Sequence, residues 1–402
     1  MAAPAPLPRL GILVDLPLWR HGDGWASSDA FLEYLLAFRH VCSKVVLIAR
    51  VLPGGDRPAA FAHGPDIDVV ALPAYASLRT LLTSELAKWP AVLRALDEGL
   101  SQVDLLWLNF AHPISLVALR RAERLNVRSF AVLRGNYVRD AAIHAPKGTA
   151  AAAALAMTAL MSSFAALARR SKVPCLAMAS SEVQWLRDHG LTAELVPVSL
   201  LPRAVLLETA MPPGEFDVLA VGRFDHVKGF DVLLEALVDL RSAAGSPATL
   251  VIVGDGPERD RLQAKAAELN LTARVLFAGR LPPGPELWHR YRSSQVVAIP
   301  SRTEGTPAVA REAMALGAPV VASAIGGLPD LLGGPEPLGW LVPPEDPAAL
   351  RHALQTVLSD GPGGHHRVAR AQQLAAAWTL EDSVAAVAHA WTTWGLTGVP
   401  QA

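Results

Sequence analysis

Apolar residues along this chain fall into short continuous runs, and each run is followed by a longer stretch with apolar positions at helical spacing. In the amino-terminal half the runs at 10–16, 104–110 and 129–133 are predicted to be strands. In the carboxyl-terminal half, strands are predicted near Val218, Leu250, Val275, Val296 and Val320. Buried strands that alternate with helices indicate parallel sheets covered by helices on both faces, an α/β architecture.

Length and proline distribution indicate how many domains to expect. A chain of 402 residues is long enough for two domains. The stretch 199–215 contains Pro202, Pro212 and Pro213, and we interpret it as the linker between them.

The segment 300–330, which reads PSRTEGTPAVAREAMALGAPVVASAIGGLPD, is the most informative part of the sequence. Thr306 suits a helix N-cap and Pro307 the first helical position, so a helix is predicted over 308–316 before Gly317 and Pro319 end it. Glu304 lies just before this helix. Glu312 follows eight residues later, about 80° past two whole turns if both were helical. Two glutamates at this spacing also occur on many solvated helices.

The surroundings of the two glutamates favour a ligand site. First-turn N–H groups have no acceptor within the helix and attract anions, which suits a diphosphate. A glutamate deeper in the helix can accept hydrogen bonds from ribose hydroxyls. A short apolar strand at 319–323 follows, and then Gly326 and Gly327, where backbone can approach a ligand. Together these features predict a nucleotide-sugar site.

This segment resembles the Glu-x7-Glu signature of the retaining glycosyltransferases of family 4. The resemblance implies the GT-B fold, α/β, with two Rossmann-like doubly wound domains that face a central cleft. It further implies an acceptor-binding domain at 1–200, a nucleotide-sugar-binding domain at 201–376 and a last helix, 377–402, that crosses back to the first domain. Tryptophans of that helix are then expected to be packing residues.

Two further segments of the carboxyl-terminal half resemble the same family. Gly222-Arg223-Phe224, followed by Lys228, is similar to the loop in which an arginine and a lysine hold the donor diphosphate, although an exposed Arg and Lys pair by itself is usually a solvated surface. The strand at 275–279 and Arg280 resemble the part that contacts the nucleobase. Gly279 is then donor-binding, and Arg280 either lines that pocket or is solvated.

The amino-terminal half resembles the family less closely. Gly22, Asp23 and Gly24 are predicted to form a loop between the first strand and a helix capped by Ser27, Ser28 or Asp29. The resemblance places Gly22 near the donor phosphates and Gly24 on the acceptor side, and Asp23 faces acceptor hydroxyls or solvent because a carboxylate would repel a diphosphate.

Two other strand ends carry polar residues in this half. His112 follows the strand at 104–110, where relatives place a histidine near the donor sugar, and a structural role is the alternative. Arg134, Gly135 and Asn136 follow the strand at 129–133. Arg134 and Asn136 are assigned to the acceptor side. Arg134 holds an acceptor group or the diphosphate, or pairs internally, and an acidic acceptor is one hypothesis for it.

Composition excludes several function classes. The net charge of −1 and the absence of a polybasic stretch argue against nucleic acid as a partner. Cys42 and Cys175 lack the spacing of a disulfide framework or a metal site, which fits a reducing cytoplasm. We expect no export signal.

The alanine-rich stretch 149–168 is long enough to span a membrane, but alanine gains little from lipid. We therefore expect a helix that packs on a partner or rests peripherally on the membrane.

The resemblance and these observations together predict a glycosyltransferase that moves a sugar from a nucleotide diphosphate sugar, with UDP or GDP favoured, to an acceptor hydroxyl of a small molecule, glycan or lipid-linked compound. The resemblance alone implies that the enzyme is retaining. Arg223 and Lys228 would stabilise the departing diphosphate, Glu304 and His112 would hold the sugar, and Glu312 would fix the ribose. The amides of the following residues would support phosphate or sugar oxygens: Gly305, Thr306, Pro307, Ala308 and Val309. The resemblance implies no protein nucleophile, no metal and no other cofactor. A GT-B epimerase or phosphorylase, or a non-catalytic sugar-nucleotide-binding protein, are the alternatives.

Overall fold

The computed structural model describes residues 7–29, 31–53, 61–64, 67–75, 78–110, 112–135, 137–143, 145, 148–196, 198–207, 215–304, 308–360 and 366–397. Contacts divide the chain into two compact units. The first comprises Met1–Met178, Glu182–Val196 and Ser383–Ala402, and the second Ala179–Ser181 and Pro197–Asp382.

The first unit contains one mixed sheet. Its strands within the described residues are β1 (Arg9–His21), β2 (Gly24–Ser27), β3 (Lys44–Val51), β4 (Phe61–His63), β5 (Asp68–Leu72), β6 (Leu105–Asn109), β7 (Arg128–Leu133), β8 (Cys175–Ala177) and β9 (Ala193–Leu195). Seven of them form a parallel ladder in the order β5-β3-β1-β6-β7-β8-β9. From β1 the chain builds outward on both sides, so the strand order reverses between β1 and β6.

Helices cover both faces of this sheet. They are α1 (Phe31–Ala37), α2 (Leu78–Thr83), α3 (Trp89–Leu100), α4 (Pro113–Arg124), α5 (Tyr137–Ile143), α6 (Ala150–Arg170) and α7 (Ser180–Asp188). On one face the core includes Leu106, Leu108 and Phe164. On the other face Trp107 lies against Phe38 and Phe130, with ring centroids 5.5 and 5.4 Å away. Burial on both faces explains why the strands are continuous apolar runs.

The structure corrects the predicted loop at residues 21–24. Strand β1 continues to His21 and turns back as a hairpin, with His21 paired to Gly24 and Arg20 to Trp25 in the antiparallel strand β2. Gly22, at φ +55°, suits the first position of a tight hairpin turn. The continuous parallel pairing of β1 with β3 is interrupted after Val14, where the register shifts, and it resumes at Leu18, which pairs with Val51. The run 10–16 was therefore recognised correctly, but its apolar pattern continues through Leu18 and Trp19 into a strand that leaves the parallel ladder.

The second unit contains a fully parallel sheet of six strands within the described residues. They are β10 (Phe216–Val221), β11 (Leu250–Val253), β12 (Val275–Gly279), β13 (Ser294–Ile299), β14 (Val320–Ser323) and β15 (Trp340–Val342). Their order is β12-β11-β10-β13-β14-β15, so the order reverses between β10 and β13. All five predicted strands are confirmed. The sixth, β15, has three residues and was not predicted.

The helices of the second unit form two layers. They are α8 (Phe230–Leu237), α9 (Arg259–Glu268), α10 (Pro285–Ser293), α11 (Ala308–Ala315), α12 (Leu328–Leu332), α13 (Pro347–Asp360) and α14 (His366–Ala375). One core joins Leu233, Leu262 and Leu354, and the other joins Tyr291, Met314 and Leu328. Two cores on opposite faces of a parallel sheet are typical of a Rossmann-like domain.

The last helix, α15 (Leu380–Thr393), begins in the second unit, and from Ser383 onward it belongs to the first. Trp391 is 1% exposed and lies against Phe38 and Phe130, with ring centroids 5.7 and 5.5 Å away. Its role is therefore packing, as predicted.

Helix α6 is long and apolar. Within the described residues, Ala150–Arg170 is one helix whose length and composition would allow it to cross a membrane, and 17% of its apolar window is buried. A core helix of a soluble protein can have the same length and composition, so these two properties alone do not establish that α6 spans a membrane.

Candidate active site

The charged side chains of the candidate site in the second unit lie at the carboxyl ends of β10 and β13, the two strands between which the order reverses. Gly222 and Arg223 follow β10 directly, and a short 3-10 turn, His226–Lys228, leads to Lys228. Pro300 follows β13 and Glu304 lies four residues further on. In open α/β sheets, ligands bind outside the strand ends at such a reversal.

Close backbone contact holds these two segments together. Gly229 has φ +64°, and a Cβ atom at this position would lie 2.0 Å from the carbonyl oxygen of Pro300. The amide of Arg302 donates to the carbonyl of Val227 at 2.7 Å. Asp225 caps the short turn by accepting from the amide of Val227 at 3.3 Å. Lys228 is therefore fixed relative to the segment that carries Glu304.

Lys228 and Glu304 form an ion pair between Nζ and Oε1. Their side chains are 25% and 10% exposed, and the hydroxyl of Ser301 donates to the same glutamate oxygen at 2.8 Å. The pair borders a cavity of about 140 Å³, which Gly222, Arg223 and Val309 also line. The structure thus brings together five of the residues predicted from the sequence.

Arg223 lies at the rim of this cavity and pairs with Asp225. Its side chain is 63% exposed, so the guanidinium is available to an incoming anion with little rearrangement. Arg223 and Lys228 together present two cations at one strand end, where each is balanced by a neighbouring carboxylate.

Behind the cavity, Arg302 makes two hydrogen bonds to Asp231, at 2.9 and 3.1 Å, and one to Glu345 at 3.0 Å. Burial raises the pKa of Asp231, but the guanidinium of Arg302 outweighs this effect and holds the pKa below its usual value. This network anchors the segment that precedes Glu304.

Glu312 lies on α11, which confirms the helix predicted over 308–316 to within one residue. It is 4% exposed, and Oε2 accepts a hydrogen bond of 2.7 Å from the hydroxyl of Tyr291 on α10. Burial raises the pKa of Glu312 to about 7, although the hydrogen bond from Tyr291 lowers it. A carboxylate that is buried and held in this way suits recognition of hydroxyl groups.

Other predicted donor residues are not part of this cluster. Gly279 and Arg280 lie at the end of β12, two strands from β10, and do not line the cavity. Ala308 begins α11. Gly305, Thr306 and Pro307, and with them the predicted N-cap, lie outside the described residues.

The first unit has its own polar site where its strand order reverses. A cavity of about 260 Å³ is lined by residues from β1, β6 and the segments that follow β6 and β7, including Asp15, Asn109, His112 and Arg134. His112 caps α4 by accepting from the amide of Ile114 at 3.2 Å. The guanidinium of Arg134 lies 3.5 Å above the ring of Phe31. Predicted residues His112 and Arg134 thus share one cavity.

The hairpin residues Gly22, Asp23 and Gly24 do not line this cavity. They form the turn between β1 and β2, and a Cβ on Gly24 would lie 1.8 Å from the carbonyl oxygen of His63 on β4. Gly22 and Asp23 thus lie in a turn, but the predicted loop is wrong for Gly24, which belongs to β2, and this strand separates the turn from α1. Of the three predicted caps, Ser27, Ser28 and Asp29, it is Asp29 whose Oδ1 accepts from the amide of Phe31 at 2.9 Å. Asn136 lies outside the described residues.

Several residues of the two sites were not singled out from the sequence: Asp15, Asp225, Tyr291 and Ser301. Asp15 interrupts an apolar strand, which was an available signal for a polar role. Tyr291 carries no such signal, because it is one of the apolar-face residues of an amphipathic helix. Within the described parts of the chain, no group of three or more His, Cys, Asp and Glu side chains is placed to hold a metal ion.

Comparison with known proteins agrees with this geometry. Residues 208–374 match the family model described as Glycosyl transferases group 1. The chain is 38% identical over 167 residues to D-inositol 3-phosphate glycosyltransferase of Mycobacterium sp. (strain KMS), a match that covers 40% of this chain and 36% of that protein. It is 38% identical over 140 residues to 2-deoxystreptamine glucosyltransferase of Streptomyces kanamyceticus, covering 35% of each. The chain thus spans about a third of the length of the curated relatives it matches.

Solved structures are similar over nearly the whole chain. Sucrose-phosphate synthase from Thermosynechococcus elongatus has a TM-score of 0.71 at 20% identity and covers 96% of this chain and 99% of its own. Anabaena HepE in complex with UDP-glucose has a TM-score of 0.68 at 17% identity and covers 96% and 100%. At these identities the likeness establishes the fold. The chain therefore has the predicted GT-B fold of two Rossmann-like α/β domains, and its residues 208–374 have the sequence pattern of the group 1 glycosyl transferases.

Proposed function

We propose that this protein is a retaining glycosyltransferase of family 4 type, which moves a sugar from a nucleotide diphosphate sugar to an acceptor hydroxyl. The observation that supports this most directly is the cluster of Arg223, Lys228 and Glu304 at the strand reversal of the second unit. The cluster lies within the segment that matches the glycosyl transferase family.

The chemistry of this cluster follows from where charge develops. As the glycosidic bond to the diphosphate breaks, negative charge accumulates on the departing phosphate, and fixed cations beside it lower the barrier. Lys228 and Arg223 would exchange their present partners, Glu304 and Asp225, for phosphate oxygens. Glu304, once released, would accept hydrogen bonds from sugar hydroxyls.

The acceptor would attack on the face from which the diphosphate departs, and the leaving phosphate would take the acceptor's proton. Such a route retains the anomeric configuration and requires no protein nucleophile. It also requires no metal or other cofactor, because Arg223 and Lys228 supply the positive charge. The sugar's anomeric configuration in the product, read by NMR, tests retention, and an inverted product would contradict it.

Glu312 would bind the ribose. Its buried carboxylate, oriented by Tyr291, can accept hydrogen bonds from the two vicinal hydroxyls, which would be costly to bury without an acceptor.

We favour UDP or GDP as the nucleotide. The UDP-glucose complex of the structural neighbour HepE supports UDP, and the similarity to transferases that act on D-inositol 3-phosphate and on 2-deoxystreptamine supports a small-molecule acceptor. We place the activity in the cytoplasm, with peripheral membrane contact through α6 as a further proposal.

Calorimetry with UDP, GDP, ADP and dTDP, in the presence of EDTA, tests the donor site. One nucleotide is expected to bind, and Glu312→Gln is expected to weaken it at least tenfold, since the amide keeps the volume but offers a poorer acceptor. Glu268→Gln is the matched control, because Glu268 is an exposed glutamate at the end of α9 in the same unit.

Failure of all four nucleotides to bind, or equal losses in both variants, would contradict the proposal. Binding without transfer to any acceptor would instead favour a non-catalytic protein. Epimerised donor without acceptor, or cleavage by free phosphate, would favour the epimerase or phosphorylase alternatives.

A further inference from the structure

The charged residues of the cavity in the second unit come from two separate segments of the chain. Lys228 lies in the short turn after β10, and Glu304 lies in the segment after β13. The ion pair between them holds Lys228 only while Glu304 is its partner. In the proposed reaction Lys228 exchanges this partner for a phosphate oxygen, so its position then depends on other contacts.

Arg302 supplies such contacts on both sides of Lys228. Its Nη1 donates to the carbonyl of His226 at 2.7 Å, two residues before the lysine. Nη1 and Nη2 also donate to the two carboxylate oxygens of Asp231, three residues after the lysine, at 2.9 and 3.1 Å. One guanidinium therefore holds the turn before Lys228 and the first turn of α8 after it.

The same arginine belongs to the segment that carries Glu304. Arg302 lies two residues before Glu304, and its amide donates to the carbonyl of Val227 at 2.7 Å. Its Nε donates to Oε1 of Glu345 at 3.0 Å, in the loop between β15 and α13. Arg302 thus joins three segments at the carboxyl ends of β10, β13 and β15.

The geometry of these contacts explains why an arginine is present. The side chains of Arg302 and Asp231 are 11% and 13% exposed. A buried ion pair by itself contributes little to stability, because the desolvation of the two charges offsets their attraction. A planar guanidinium, however, directs several N–H groups at fixed angles, which the freely rotating ammonium of a lysine does not. The pair is therefore better explained by the positions that it fixes than by its electrostatic energy.

We propose that Arg302, through its contacts with His226 and Asp231, is a positioning residue that keeps Lys228 in place, first against Glu304 and then against the diphosphate. This inference rests on the proposed transferase function and adds to it a residue that does not touch the substrate. Misplacement of a reacting group by about 1 Å can lower a rate roughly 100-fold, so a residue behind the cavity affects the rate through Lys228.

Arg302→Lys separates this role from charge balance. Lysine keeps a positive charge beside Asp231 but cannot bond both carboxylate oxygens and the carbonyl of His226 in the same geometry. Asp231→Asn, which keeps the volume and removes the charge, is the second variant. Arg351→Lys is the matched control, because Arg351 pairs with Asp239 at 3.1 Å where both side chains are exposed.

Acetylation of lysines by acetic anhydride, followed by mass spectrometry on the ligand-free chain, reports the position of Lys228 without requiring activity. In the native chain Lys228 is expected to react slowly, because its ammonium is half-buried and paired with Glu304. Arg302→Lys and Asp231→Asn should raise its rate of acetylation at least threefold, and the control variant should not change it. Lys265, paired with Glu235 in the same unit, is the internal reference.

Donor turnover tests the same role in the reaction. Arg302→Lys is expected to lower kcat about tenfold or more, measured as nucleoside diphosphate release from the donor identified by calorimetry. In a chain that already carries Lys228→Met, the same substitution should lower kcat less than twofold further, because the residue through which Arg302 acts is gone. A purely structural role would make the two losses multiply.

Native-like acetylation of Lys228 in both Arg302→Lys and Asp231→Asn overturns the inference, whether or not the protein transfers sugar. Losses of kcat that multiply in the double variant overturn it as well. Faster acetylation of Lys265 together with Lys228 in Arg302→Lys indicates unfolding of the unit, and Asp231→Asn then decides. Absence of turnover in the native chain contradicts the proposed function instead, and the acetylation rates then decide the inference alone.

Discussion

Each cation of the candidate active site is paired with a carboxylate in the ligand-free protein, Arg223 with Asp225 and Lys228 with Glu304. A half-buried lysine without a partner would be costly, and the pairing with Glu304 avoids this cost. When a diphosphate replaces the carboxylates, the charge around Lys228 remains balanced, so the exchange is electrostatically feasible. The pairing therefore prepares the site for a dianionic ligand.

Replacing Lys228 by methionine tests the importance of its charge. Loss of one fixed charge beside the departing diphosphate is expected to reduce kcat by about 100- to 1,000-fold, the usual effect of removing one such group. The rate of nucleoside diphosphate release from the donor identified by calorimetry measures it. Lys265→Met, which removes a lysine paired with Glu235 in the same unit, should leave the rate unchanged.

The pKa of Glu312 predicts how stability depends on pH. Because burial raises this pKa from 4.5 to about 7, the folded protein retains the proton longer than the unfolded chain does. The contribution of protonated Glu312 to the free energy of unfolding is complete below the unfolded-state pKa of 4.5. It is lost as the pH rises from there through the folded-state pKa of about 7. The total is on the order of 3 kcal/mol, at 1.36 kcal/mol for each pKa unit.

Glu312→Gln does not titrate, so its unfolding temperature should rise relative to that of the native protein between pH 5 and pH 8. Differential scanning calorimetry at the two pH values measures the difference. A constant offset between the two proteins would mean that Glu312 titrates at its ordinary pKa.

Individual site residues differ in how far the sequence reveals them. Glu304 and Glu312 were predicted because one helix and its first turn fix their separation locally. The partner of Glu312, Tyr291, is 21 residues away on another helix, and Asp15 meets Tyr75 across 60 residues. Such pairs depend on how strands and helices are arranged in space, which local periodicity does not contain.

At the scale of elements, the loop after β10 and the segment after β13 are packed backbone to backbone, because Gly229 has no Cβ and so permits close contact with the carbonyl of Pro300. Strands of continuous apolar residues, such as β11, were predicted correctly because burial on both faces imposes that pattern. The extension of β1 was missed, since its polar tip, Arg20 to Asp23, resembles a loop. Its pairing with β2 is visible only when the partner strand is known.

Substituting Gly229 by alanine tests this contact. The new Cβ would lie 2.0 Å from the carbonyl oxygen of Pro300 at a backbone φ of +64°, so the two segments must separate. We expect a loss of about 2–3 kcal/mol, seen as an unfolding temperature lower by roughly 5–10 °C, together with weaker nucleotide binding.

Gly245→Ala is the matched control for this substitution. Gly245 has φ +80°, but a Cβ there meets nothing within 4 Å. Only the backbone conformation is penalised, at about 1 kcal/mol, and nucleotide affinity should not change. Equal effects of the two substitutions on nucleotide affinity would contradict the role given to the contact with Pro300.

At the scale of the whole molecule, the first unit includes residues from both ends of the chain. The tail from Ser383 onward contributes Trp391, which fills the face of the sheet beside Phe38 and Phe130. The resemblance to the family implied this return of the chain, and the apolar spacing of the tail indicated a helix. Apolar spacing alone did not indicate which sheet the helix covers.

Trp391→Ala is expected to destabilise the first unit by about 3–5 kcal/mol, because it leaves a cavity among buried aromatic rings. Trp394→Ala, at a half-buried position of the same tail, should cost less than half as much. Thermal unfolding followed by calorimetry measures both. Nucleotide binding, which we assign to the second unit, should survive in Trp391→Ala at temperatures below its transition.

The position of Trp391 also has a consequence for synthesis on the ribosome. Domains of a nascent chain usually fold in order from the amino terminus, at about 5–20 residues added per second. Here the first unit lacks part of its aromatic core until Trp391 emerges, roughly 10–40 s after its last internal strand has been made, at that rate. The first unit is thus expected to finish folding only after the second has been synthesised, and to expose Phe38 and Phe130 to chaperones until then.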